Sequence, residues 1–182
     1  MTTLPLRIEN GHSEAIVFER RVATPTGERL ELRNEVQPGA GPPMHVHFKQ
    51  EEGLTVVAGR LGYQIQGEAS RYAGPGETVV FAPGVPHRFW ADGDQVLRCT
   101  GYAQPPHNVV YFLSEVYRST RESGGTKPDD FDAAYLLHKY RSEFALLDIP
   151  GFVQRAIFPV LRVVGRLTGK YGRFAQAPEP VR

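Results

Sequence analysis

Residues 39–59 read GAGPPMHVHFKQEEGLTVVAG: a proline- and glycine-rich loop, a His-x-His pair, a Glu-Glu pair and an apolar run closed by glycine. On a strand, His45 and His47 point to one face with α-carbons about 6.5 Å apart. Two imidazoles at that spacing converge on one ion, each nitrogen about 2.1 Å from it. Glu52 opens the apolar run five residues later, and a turn between the two segments returns its carboxylate to the same point. A second stretch, residues 76–91, reads GETVVFAPGVPHRFWA. There His87 follows a Pro/Gly turn and begins a strand, which makes it a third imidazole for the same centre. Glu51 sits directly beside Glu52 and is the other acid in this segment.

On either side, the chain reads as short strands cut by turns. Strands are expected over Glu14–Arg20, Arg29–Val36, His45–Phe48, Leu54–Val57, Leu61–Gln66, Thr78–Phe81, His87–Trp90 and Val96–Tyr102. Thr24-Pro25-Thr26-Gly27 and the glycines at 59, 67, 74, 76, 84 and 93 supply the turns. Many short strands at close spacing favour a closed sandwich or barrel over a βαβ sheet. The pattern changes at Pro105-Pro106. Helical periodicity runs over Val109–Arg121, then from Asp129 or Asp130 to about Leu147, then over Phe152–Leu167 with an interruption at Pro159. The last dozen residues read as a frayed tail. The expected division is a barrel over residues 1–105 and a helical extension over 106–182 that packs on the barrel or on a second subunit.

The chain has 182 residues, enough for one domain with a core that needs no disulfides. Its net charge of +1 argues against nucleic acid as a partner, and no helix-turn-helix precedes the barrel. The near-neutral total hides an asymmetry, because residues 138–182 are net +5. One cysteine, Cys99, excludes an intrachain disulfide and a multi-Cys zinc site, and its apolar strand predicts an inert buried thiol. The N-terminal MTTLPLRIENGHSE lacks the apolar core of a signal peptide and no stretch of 18 apolar residues exists, so a cytoplasmic location is expected.

The two histidine segments resemble the paired motifs of the cupins. Gly39, His45, His47, Glu52 and Gly59 stand at the first motif's spacing, and Gly76, Gly84 and His87 match the second in register. Ala82 replaces a proline and Ala91 an asparagine, and neither change removes a ligand. The similarity covers about residues 28–103. It implies an all-β fold with a helical appendage, that is, a double-stranded β-helix (jelly-roll) barrel followed by about three α-helices, with one divalent transition-metal ion held by His45, His47, Glu52 and His87. Without a thiolate, Fe, Mn, Ni, Co, Cu and Zn all remain open.

Alternation gives a mostly apolar set of pocket residues: Leu54 and Val56 on the Glu52 strand, Phe89 on the His87 strand, and Tyr63 and Ile65 between them. These residues either line a site for a small organic molecule or simply fill the barrel. The resemblance implies a metal-dependent oxidoreductase of dioxygenase type with Glu52 doubling as a base, or a metal-assisted isomerase or cyclase, or a non-catalytic binding or sensing module. A homodimer is expected from the same resemblance. In the third helical segment Arg155, Arg162 and Arg166 share one face of an otherwise apolar helix. Packing is the favoured reading of that helix, and membrane contact is not expected.

Overall fold

The computed structural model describes residues 3–182. Ten strands come first: β1 (Leu6–Glu9), β2 (Glu14–Thr24), β3 (Gly27–Val36), β4 (His45–His47), β5 (Glu51–Ala58), β6 (Leu61–Ile65), β7 (Arg71–Ala73), β8 (Thr78–Phe81), β9 (His87–Ala91) and β10 (Leu97–Gln104). After them come α1 (Val109–Ser123), α2 (Asp130–Lys139), β11 (Phe144–Leu146), a π-helical turn (Val153–Ile157), α3 (Phe158–Leu167) and a 3-10 turn (Lys170–Phe174).

The strands form two antiparallel sheets, one ordered β1-β2-β3-β10-β5-β8 and the other β11-β4-β9-β6-β7. Period-two patterning sets which face is buried. On β3, Leu30, Leu32, Asn34 and Val36 are buried. Between them Glu31 and Glu35 pair outward with Arg20 and Arg98, and Arg33 with Glu19. Between the sheets, Val36, Leu54, Val56, Val79, Phe81, Leu97 and Cys99 of the first meet Leu61, Ala73, Phe89 and Ala91 of the second. Burial of each large apolar side chain contributes about 1.5–3 kcal/mol, which is what closes the sheets on each other. On the outer face of the second sheet, a β-carbon at Gly62 would stand 2.2 Å from the Trp90 ring, which lies across its paired position.

A second core joins the barrel to the helices. Ile8, Phe18, Leu30, Leu32 and Ala103 pack with Val109, Val110, Phe112 and Tyr117 of α1, and with Leu136, Tyr140, Phe144 and Phe174. Among the described residues no helix is long and apolar enough to cross a membrane.

The structure departs from the sequence reading in four places. The second helix stops at Lys139 rather than near Leu147, and residues 144–146 instead pair with β4 as an edge strand, Phe144 opposite His47 and Leu146 opposite His45. Helical periodicity continues past Lys139, but the open edge of β4 supplies backbone partners that the helix alone would not. The turn before this strand holds the fully buried Glu143, whose carboxylate accepts from the Asn108 backbone N–H, the Asn108 amide and the Val181 backbone N–H. The C-terminal tail is therefore tied down and not frayed: Tyr140 donates to the Pro178 carbonyl at 2.8 Å and Ser142 to the Val181 carbonyl at 2.7 Å. The short strands β1 and β7 were not expected. Pro159 stands in the first turn of α3, where its missing N–H costs nothing, so the interruption falls before it as the π-helical turn.

Candidate metal centre

Two strands of one sheet and one strand of the other bring four side chains together. His45 on β4 lies directly opposite His87 on β9, and His47 follows two residues along on the same face. Glu52 reaches them from β5 of the facing sheet, where its cross-strand neighbours are Phe81 and Ala103. Its Oε2 lies 3.0 Å from His87 Nε2 and 3.8 Å from both His45 Nε2 and His47 Nε2. The donor atoms of His45, His47 and Glu52 all fall within 4.8 Å of one another. His87 is 1% exposed and the other three side chains are 10–15% exposed, so the cluster is sunk but reachable.

Hydrogen bonds at the far side of the rings set which nitrogen faces the centre. His45 Nδ1 lies 2.9 Å from the Pro43 carbonyl and His87 Nδ1 2.9 Å from the Val85 carbonyl. A carbonyl only accepts, so each Nδ1 donates to it, which turns each Nε2 towards Glu52. His47 is desolvated strongly enough that its pKa falls to about 3, against the opposing pull of Glu52, so it is neutral. Burial by itself would raise Glu52, but the three imidazoles turned towards it, with His87 at hydrogen-bond distance, outweigh that, and the carboxyl is held well below the usual range. Three imidazole nitrogens turned on one carboxylate are the donor types that divalent transition metals take. Two donors each about 2.1 Å from one ion at a right angle are about 3.0 Å apart, which is the His87–Glu52 separation. The donor set fits a divalent metal.

Residues 32–101 match the Cupin domain family (Cupin_2). The chain carries a cupin domain. Among curated proteins none is similar to it in sequence. Solved structures with a similar fold include KdgF from a Halomonas species, 16% identical, covering 54% of this chain and 86% of that one, with a TM-score of 0.46. The DMSP lyase DddQ from Ruegeria pomeroyi is 21% identical, covering 50% of this chain and 46% of that one, at 0.40. The polyketide cyclase RemF from Streptomyces resistomycificus is 23% identical, covering 54% and 69%, at 0.42. This chain thus spans about half the length of the lyase. At these identities and scores the likeness carries nothing about substrate.

The expected pocket residues of the cupin barrel divide. Leu54, Val56 and Phe89 are buried in the packed core between the sheets. Tyr63 is half-buried at the edge of that core, its ring 6.1 Å from the Phe81 ring. Ile65 is half-buried and directly opposite His87 in the β6–β9 pairing. Glu51 turns outward, as a solvated neighbour does, and accepts from the Tyr102 hydroxyl at 2.7 Å with Arg29 over the Tyr102 ring. Cys99 is buried, and desolvation pushes its thiol up to about 12.

Several neighbours were not legible in the sequence. Phe81 stacks on His87, and Phe144 meets His47 edge-on at 5.2 Å. Tyr117 on α1 donates to Glu14 on β2 at 2.7 Å. Burial raises the Glu14 carboxyl against the opposing effects of that hydrogen bond and of the His12 and His45 charges. Tyr117 is raised well above its usual value, first by burial and then by Glu14, with Glu52 contributing as well. The pair therefore lies within electrostatic reach of the centre. Residues separated by 103 positions leave no local signal.

Proposed function

We propose that this cupin is a metal-dependent enzyme acting on a small organic molecule, with His45, His47, Glu52 and His87 holding one divalent transition-metal ion. The carrying observation is the convergence of three imidazole Nε2 atoms on the Glu52 carboxylate at 3.0–3.8 Å. When bound, the ion supplies Lewis acidity that polarises a substrate oxygen.

The Glu14–Tyr117 pair supports proton transfer as the reaction type, of the kind an isomerase, cyclase or lyase performs. Glu14 is a half-buried carboxyl that burial shifts upward, the direction a proton-transferring group needs. Tyr117 stays protonated and positions Glu14 through their hydrogen bond. Half-buried Ile65 and Tyr63 give the approach to His87 an apolar side, which suits a substrate with a hydrocarbon part. Glu52, hydrogen-bonded and held ionised, is a ligand first and serves as a base only when it leaves that position.

A dioxygenase-like oxidoreductase is the second reading. Its support is the donor set itself: three imidazoles and one carboxylate without a thiolate accommodate iron as readily as manganese or zinc. Elemental analysis of the purified protein, followed by parallel assays of oxygen uptake and of anaerobic turnover on enolisable carbonyl compounds, separates the two. Anaerobic product formation supports proton transfer; substrate-dependent oxygen consumption replaces it with the oxidative reading. A protein that takes up no divalent metal overturns both.

A further inference from the structure

The third helix carries an apolar face that none of the described residues covers. α3 touches the rest of the molecule through Phe158 and Gly165, its only buried residues, and through Tyr171, whose hydroxyl donates to the Leu161 carbonyl at 3.2 Å. The opposite side is bare. Leu167 is 81% exposed, Phe152 66%, and Val160 and Val163 60% each, with Ile157 and Val164 also open. At 100° per residue, Ile157, Val160, Val163, Val164 and Leu167 fall in one arc, and Arg155, Arg162 and Arg166 form a stripe along one border of it. The preceding π-helical turn buries no residue, so the face continues into it.

Charge decides what covers this face. Between Asp148 and Glu179 the chain has no acidic residue, while it has Arg155, Arg162, Arg166, Lys170 and Arg173. Arg173 is committed to Glu122 and Asp132. Among the described residues Arg155, Arg162 and Arg166 have no acidic partner within salt-bridge distance. A second copy seated on the same face would bring like-charged stripes together with no carboxylate from this segment to relieve them. An anionic lipid surface meets both requirements: acyl chains take the apolar arc and headgroups take the guanidinium stripe.

We propose that α3, with the turn before it, is an interfacial helix that seats this protein on an anionic membrane surface, lying in the plane of the bilayer without crossing it. The proposal is independent of the metal centre, because neither the helix nor its arginines contribute to that site. The exposed arc was assigned to packing on sequence grounds because periodicity cannot tell a face that meets protein from one that meets lipid.

The test is flotation of the full-length protein with phosphatidylcholine vesicles, with and without phosphatidylglycerol. Binding is expected only to the anionic vesicles, falling about fivefold with each of Arg155→Gln, Arg162→Gln and Arg166→Gln, and disappearing at high salt and in the Val163→Glu/Leu167→Glu variant. Both glutamates replace exposed residues, so metal content and thermal stability should be unchanged. Absence of binding to the anionic vesicles overturns the proposal. So does a light-scattering dimer that the same double variant turns into monomer, since the face would then be an interface between copies.

Discussion

Phe81 lies flat against the His87 imidazole, with ring centroids 3.8 Å apart and planes 5° from parallel. The contact joins the sheets at the candidate centre: Phe81 is paired across from Glu52 on one, and His87 is paired across from His45 on the other. A ring held on its face by an aromatic and at Nδ1 by the Val85 carbonyl has one direction left for Nε2. Phe81→Ala should cost about 3–5 kcal/mol of stability, measured by urea unfolding. Phe81→Leu should cost less but still weaken metal binding, because it fills the space without the flat contact. Unchanged affinity in Phe81→Leu would show that the stack does not orient the ligand.

Losing a ligand should reduce metal affinity by more than the loss of an outer partner does, which is about 10–100-fold. Glu52→Gln, His47→Ala and His87→Ala should each purify with sharply less metal than the wild type, read by elemental analysis. Glu51→Gln should keep the wild-type metal content, since Glu51 is engaged with Tyr102 on the outer face. Equal loss in Glu51→Gln and Glu52→Gln would reverse the assignment.

Metal-free protein should lose stability as the pH falls. The His47 pKa is about 3 folded against an ordinary 6.5, so between these values the unfolded chain binds the proton and the folded chain does not. Stability from this group is full above 6.5 and drains as the pH drops towards 3. Glu52, also lowered, acts in the same direction below its ordinary 4.5. Urea midpoints of chelator-treated protein at pH 7, 6 and 5 should descend in order, and the slope should flatten in His47→Gln. A flat profile in the wild type would contradict the burial that lowers His47.

Tyr117→Phe removes a donor that favours the charged form of Glu14, so the Glu14 pKa should move up further. Carbon-detected NMR of glutamate carboxyls reports this directly, without a substrate. Once a substrate is in hand, the same variant should shift the pH limb assigned to Glu14 upward with metal content unchanged. A limb that does not move would remove Glu14 from the reaction.

Phe144 stacks on Phe112 at 4.4 Å and meets His47 edge-on. Phe144→Ala should destabilise the protein by about 3–5 kcal/mol and lower metal affinity together, because the cavity opens beside the strand that carries two ligands. Calorimetry and metal titration check the two effects separately. Lost stability with intact affinity would mean that β4 holds its ligands without β11.

The barrel and its four chemical residues were legible along the chain because both signals are local. Alternation of period two marks a half-buried strand wherever it lies, and His45, His47, Glu52 and His87 fall within two short segments of regular spacing. Distance along the chain hid the rest. That residues 144–146 would leave a helical pattern to complete a sheet depends on the free edge of β4, about a hundred residues away. Glu14 and Tyr117 are far apart in sequence, and only the docking of α1 on the strands brings them to one hydrogen bond. The tail looked frayed until Glu143 and Tyr140 gave its backbone groups partners. Periodicity shows that a residue has an inward face; which neighbour that face meets is set by closure of the chain, a matter of long-range packing that no local stretch of sequence contains.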